Sequence, residues 1–410
     1  MNSEITYPTL VTSLIGLSIF GFAVVGHRPV QSRPAENGSP IAAYVPQDTD
    51  RMALLPPASA PMVAQPKATQ PATAANDGVA TAYPYAGPVF SEFVRTSYDQ
   101  APDPDRPEFH AWMQRAYRES QVRFKGLEQV GDLDAVLAAI KAKYAAAPNN
   151  DSRTLLEKQT GAFCHKLIKK TIKHFSLNHG FEFYSVVDRG QRQCFLQSIL
   201  IASMMQTAGM QAGVVMVTKS DKGKDSNNGH AVTLVKLSNG NDLLVDDSHK
   251  TPFIKQQGLM VAKPGAAPYC YLAPQYAADG DQIVGYAAMG ADGVAFPTSA
   301  VAPLGVQFLK SQFDYYRGER TPGGFFAKAK TTAGLIDSQR FFTRSILEDP
   351  GNPLPIYALG RVDLRLGDIE AARQQILTAY QLYSRYGNVP QGEQEALALV
   401  HAEPEQLSMR

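Results

Sequence analysis

The 410-residue sequence predicts an α+β fold, a helix packed on an antiparallel sheet and followed by C-terminal α-helical hairpins. Three observations predict it. Apolar residues recur at helical spacing between Phe109 and Phe175. Apolar runs at Val214 to Thr218 and His230 to Leu237 read as strands, and Asn239-Gly240 turns the second into a third run, Asp242 to Asp247. Beyond Pro350, small residues return at the intervals of closely packed helix pairs.

Composition narrows the function classes. Thirty-nine Lys and Arg face 38 Asp and Glu, a formal charge of +1, too balanced for general polyanion binding. Nucleic acid is therefore not an expected partner. Three cysteines do not make a disulfide scaffold in a chain of this length, so a hydrophobic core must hold the fold. The charged fraction, 19%, is low because of the N-terminal quarter.

Leu10 to Gly26 carries no charge and reads as one apolar helix, long enough with Pro8 and Thr9 to span a bilayer. Residues 1–26 are expected to anchor the chain in a membrane; a cleaved signal peptide is the alternative, although only Glu4 is charged before the run. Arg28 and Arg33 favour a cytoplasmic body by the positive-inside rule, whereas the linker resembles those that carry bacterial catalytic domains away from a membrane. The side of the membrane stays open. Residues 27–107 are rich in Pro, Ala, Gln, Ser and Thr and are expected to form a disordered tether.

The folded body is expected from residue 108. Phe109 to Lys125 has helical spacing, Asp132 caps a second helix over Leu133 to Ala146, and a third runs from about Ser152 to Phe175. Lys166, Lys169, Lys170 and Lys173 read as its solvated face. The polar Asp188 to Gln193 leads into an apolar helix with Cys194 in its first turn, ended by Ala208-Gly209. Ser220 to Gly229 is a polar loop, either solvated or a movable wall beside His230.

Cys194, His230 and Asp246 are the candidate catalytic residues. A thiol is nucleophilic as thiolate, which the unpaired amides of a helix N-terminus favour. The thiolate needs an imidazole to protonate the leaving group, and the imidazole needs an acceptor on its second nitrogen. Asn239-Gly240 as a strict two-residue turn sets residue 230 on the face of Asp247, while a bulge or longer turn sets it on the face of Asp246. Cys164 and Cys270 read as packing residues. His165, His174 and His179 lack metal-ligand spacing, and neither a metal nor a cofactor is expected.

The ordered set Gly190, Gln193-Cys194-Phe195, Gly209-Met210-Gln211-Ala212, His230-Ala231-Val232 and Val245-Asp246-Asp247-Ser248 resembles the transglutaminase-like superfamily. The match covers about 90 residues, within a domain placed at 108–305. The resemblance implies a papain-like Cys-His-Asp core, Cys194 as nucleophile, His230 as acid and base, Asp246 as its orienting partner, and a protein or peptide substrate. Gln193 or Gln191 is a candidate second oxyanion donor. Three positions depart from the family pattern: Val232 replaces an aromatic, Gly213 an arginine, and no aspartate follows the cysteine, where Gln197 and Ser198 stand. A catalytically degenerate interaction module is the rival reading.

Residues 251–305 show no firm periodicity and read as an elaboration of this domain or as ordered loops over it. Residues 306–410 read as a helical region. Leu359-Gly360, Gly367, Ala372 and Ala379, preceded by Ser338, Phe342 and Ser345, resemble a tetratricopeptide repeat and half of another. Such a unit offers a surface for a protein partner.

Overall fold

The computed structural model describes residues 81–102, 107–263, 267–278, 280–289 and 293–401. The expected anchor at 1–26 and the tether as far as residue 80 lie outside the described residues. Among the described residues no helix is long and apolar enough to cross a membrane.

The tether does not extend to Pro107. Helix α1 (Pro88–Tyr98) lies within it, with Pro88 in the first turn, where a missing N–H costs nothing. Tyr83, Tyr85, Phe90 and Phe93 are buried. The Tyr83 amide donates to Gln206 Oε1 at 2.6 Å, and its hydroxyl accepts from the Val214 amide at 3.2 Å. Four aromatics within eleven residues supply the apolar surface that the proline count obscures.

Helices α2 (Phe109–Ser120), α3 (Leu133–Ala145) and α4 (Asn150–Thr171) follow. Asp132 and Asn149 cap the latter two by accepting from Asp134 N–H and Ser152 N–H. The two-residue strand β1 (His174–Phe175) pairs in parallel with β2 (Gln191–Arg192), with α5 (Phe183–Arg189) between them. Helix α6 (Cys194–Thr207) is apolar on every side and buried through twelve consecutive residues. That is the signature of a central helix.

Strands β3 (Gln211–Lys219), β4 (Asp225–Lys236), β5 (Asp242–Val245), β6 (Gly258–Ala262), β7 (Tyr269–Tyr276), β8 (Gln282–Ala288) and β9 (Ala295–Phe296) form one antiparallel sheet in the order β5-β4-β3-β6-β7-β8-β9. Pairing of β5 with β8 closes the first six into a barrel. Val215, Val217, Val232, Leu234, Leu244, Leu259, Leu272 and Ile283 fill its interior. The alternate residues of β3 and β4, such as Met216, Ala231 and Val235, join the core shared with the helices. Closure removes the sheet edges that an open sheet would leave exposed. Residues 251–305 thus supply four of the seven strands.

Helices α7 (Val306–Arg320), α8 (Thr332–Glu348), α9 (Pro353–Leu366), α10 (Ile369–Tyr386) and α11 (Gln391–His401) complete the chain. Phe313 of α7 packs against Phe93, Phe183 and Phe195, with ring centroids 5.6, 6.2 and 5.0 Å away. One core therefore continues across residue 305, where the sequence suggests a boundary.

Candidate active site

Cys194 is the first residue of α6, and Gln193 is its N-cap in extended conformation without a side-chain cap bond. No acidic residue stands in the first turn. The helix amides therefore face the cysteine end without a competing carboxylate on the same turn. The side of α6 below Cys194 is tied to the barrel, because Thr233 Oγ1 on β4 donates to Ser198 O at 3.0 Å.

His230 lies near the start of the buried part of β4, and Asp246 directly follows β5. The β4–β5 register pairs Thr233 with Val245 and Lys236 with Asp242. Leu237 N–H donates to Asn241 O at 2.8 Å, so residues 238–240 make the turn, with Gly240 at φ +89°. This is three residues rather than two, a left-handed glycine closing the loop. Carried one residue further, the register sets Asp246 opposite Val232. Asp246 thereby shares a strand face with His230.

His230 Nε2 donates to Asp246 Oδ2 at 2.8 Å. Cys194 is the other group that acts on the ring, favouring its protonated form. Burial alone would lower the imidazole's proton affinity. The Asp246 charge and hydrogen bond, with Cys194 adding to them, outweigh it and hold the imidazole well above its ordinary value. Burial likewise opposes the Asp246 charge, but His230, His249 and the Ser248 amide pull its carboxyl down to about 2. Asp246 Oδ1 accepts from Ser248 N–H at 2.9 Å, and Oδ2 also accepts from Gln256 Nε2 at 3.0 Å. His249 Nε2 stands 3.7 Å from Oδ2, behind His230 in the competition for that oxygen.

Asp247 turns the other way. Its Oδ2 accepts from Arg192 Nη1 at 3.1 Å and Gln197 Nε2 at 2.9 Å, and Lys169 Nζ donates to its carbonyl at 3.0 Å. Burial pushes its carboxyl well above the usual range, against the lowering effects of Arg192 and Lys169. Lys169 is thus drawn into the structure, whereas Lys166, Lys170 and Lys173 remain exposed. His165 is also internal, its Nε2 3.1 Å from His249 O. Gln197, one of the departures from the family pattern, serves this second carboxylate.

The other cysteines have different surroundings. Burial, with Asp247 adding to it, pushes the Cys164 thiol up, and burial pushes the Cys270 thiol up to about 11. Gln193 is buried with an unpartnered Oε1, and Gln191 Oε1 accepts from Ser185 Oγ at 2.9 Å. Tyr316 of α7 packs on Phe195 at 5.5 Å between centroids. Among the described residues no group of His, Cys, Asp or Glu is arranged to hold a metal.

Gln256, Arg192 and Tyr316 escape the sequence reading. Gln256 and Tyr316 lie in stretches whose periodicity says nothing of the site, and Arg192 is one of several polar residues before Cys194. No protein-family model matches the chain, and no curated protein matches its sequence.

Proposed function

We propose that this chain is a membrane-tethered, cysteine-dependent amide hydrolase or acyltransferase with a transglutaminase-like core, most nearly a peptidase. The observation that carries the reading is one imidazole hydrogen-bonded to a buried carboxylate and acted on by Cys194, with the cysteine at a helix N-terminus. In the reaction the Cys194 sulfur attacks a carboxamide or peptide carbonyl, forming a C–S bond. His230 protonates the departing amine as the C–N bond breaks. Water, or a second amine, then adds to the thioester, gives its proton to His230 and releases the thiol. The Cys194 amide and the Gln193 or Gln191 side chain are the donors proposed for the oxyanion.

A second reading, a non-catalytic interaction module working with its tetratricopeptide-like helices, draws on the burial of Cys194, which is only 5% exposed. Alkylation separates the two. At about pH 6, Cys194 is expected to react with iodoacetamide at least tenfold faster than free cysteine, as a nucleophile served by an acid–base imidazole should. Mass spectrometry of the full chain should place the label on Cys194, and His230→Ala should abolish the advantage. Reaction no faster than free cysteine would leave the interaction module as the better reading.

A further inference from the structure

The segment that runs into His230 is held by two glutamines. Gln257 N–H donates to Lys219 O at 2.9 Å, and its side chain donates to Asp221 O at 3.0 Å. Gln256 Oε1 accepts from Asp221 N–H at 2.9 Å, while its Nε2 donates to Asp246 Oδ2 at 3.0 Å. The main chain of Gln256 is pinned as well, its carbonyl accepting from Tyr276 Oη at 2.8 Å. Gln256 is 1% exposed, so no solvent competes for either end of its side chain.

The two partners dictate the chemistry of the bridge. An amide N–H requires an acceptor and a carboxylate requires a donor, and the Gln side chain presents both on one planar group whatever the pH. The loop that begins at Lys219 returns through Asp225 to His230 along the chain. It is therefore linked to the imidazole covalently and to the carboxylate partner through Gln256. We infer that Gln256 is a positioning residue that couples the 219–225 loop to Asp246, so that the placement of the loop sets the alignment of the His230–Asp246 pair. The inference rests on the cysteine-hydrolase reading. A substrate that touches the loop thereby acts on the imidazole without touching it.

The test follows Cys194 alkylation by iodoacetamide against pH, together with amide hydrogen exchange in the loop, on the full chain. Gln256→Ala removes both bonds. It should slow alkylation at about pH 6 by about tenfold, move the acid limb of the profile to higher pH, and speed exchange at the Asp221 amide. Gln256→Glu is nearly isosteric. It keeps the acceptor for Asp221 but faces Asp246 with an oxygen, so exchange should stay near wild type while alkylation slows as in the alanine variant. A structural filler would leave the pH profile in place. Wild-type alkylation profiles in both variants overturn the inference, and if the alanine variant does not fold, the glutamate variant decides alone. If His230→Ala itself alkylates like wild type, the hydrolase reading fails and the coupling fails with it. If His230→Ala slows alkylation and the Gln256 variants do not, the coupling alone is wrong.

Discussion

At the scale of single residues, Asp246 and Asp247 occupy adjacent positions and opposite electrostatic roles. Asp246 is surrounded by donors, and its carboxyl sits at about 2, below the value of about 3.9 for an unfolded aspartate. Its charge therefore stabilises the fold above about pH 4, and that contribution is lost as the pH falls toward 2. His230 has the opposite sign. Its raised value makes the charged form stabilising below about pH 6.5, with the contribution lost as the pH rises through the folded-state value. Asp246→Asn should cost about 2 kcal/mol at neutral pH and flatten the decline in stability between about pH 4 and 2. Urea titrations across that range measure both. Asp247→Asn should leave Cys194 alkylation within about twofold of wild type, because Asp247 engages Arg192 and Gln197 rather than the imidazole.

Among the elements, the C-terminal helices show how a small residue and a buried charge set the packing. A Cβ on Gly360 would lie 2.8 Å from Ile376 Cγ1 and 3.1 Å from Gln375 Cβ, so α9 and α10 approach closely only with glycine there. Gly360→Val should cost about 1–3 kcal/mol by overpacking, read as a lower thermal midpoint. Glu393 of α11 is fully buried, both carboxylate oxygens unpartnered, and burial pushes it up to about 8 against the lowering effect of Arg361. Its neutral form suits the helix, and the stability it lends is full below about pH 4.5, where an unfolded glutamate ionises, and is lost progressively as the pH rises to about 8. Amide protection in α11, corrected for the intrinsic pH dependence of exchange, should fall between about pH 4.5 and 8, and Glu393→Gln should remove that fall.

Helix caps make some elements legible from a few adjacent residues, as Asp132 and Asn149 do for α3 and α4. Strands β6 to β8 lack such a mark. All five residues of β6 are buried, so it shows no alternation, and β7 contains Pro274 and a register shift near its end. Their strand character comes from partners in the closed barrel.

For the whole molecule, the N-terminal boundary is the largest difference. Phe90 packs on Phe183 with centroids 5.4 Å apart, and Phe93 packs on Phe313 at 5.6 Å. A chain beginning at residue 108 would expose these rings' partners. It should be far less stable than one beginning at residue 81, since each buried Phe removed costs about 3–5 kcal/mol. Comparison of the two thermal melts checks this. The same aromatic cluster joins α7 to the Cys194 helix, so the C-terminal helices are part of the support beneath the candidate nucleophile.

The order of Cys194, His230 and Asp246, and the helix and strands that bear them, are properties of the sequence by itself. They follow from local periodicity, a helix start and a turn pair, all readable over a few residues. Tertiary structure decided which aspartate meets the imidazole, because one extra residue in the 238–240 turn inverts the face of every residue after it. It also decided that Gln256 bridges Asp221 and Asp246, and that residues 81–98 belong to the core. Those choices depend on groups far apart in the chain competing for the same buried space and the same few hydrogen-bonding atoms, which no local pattern records.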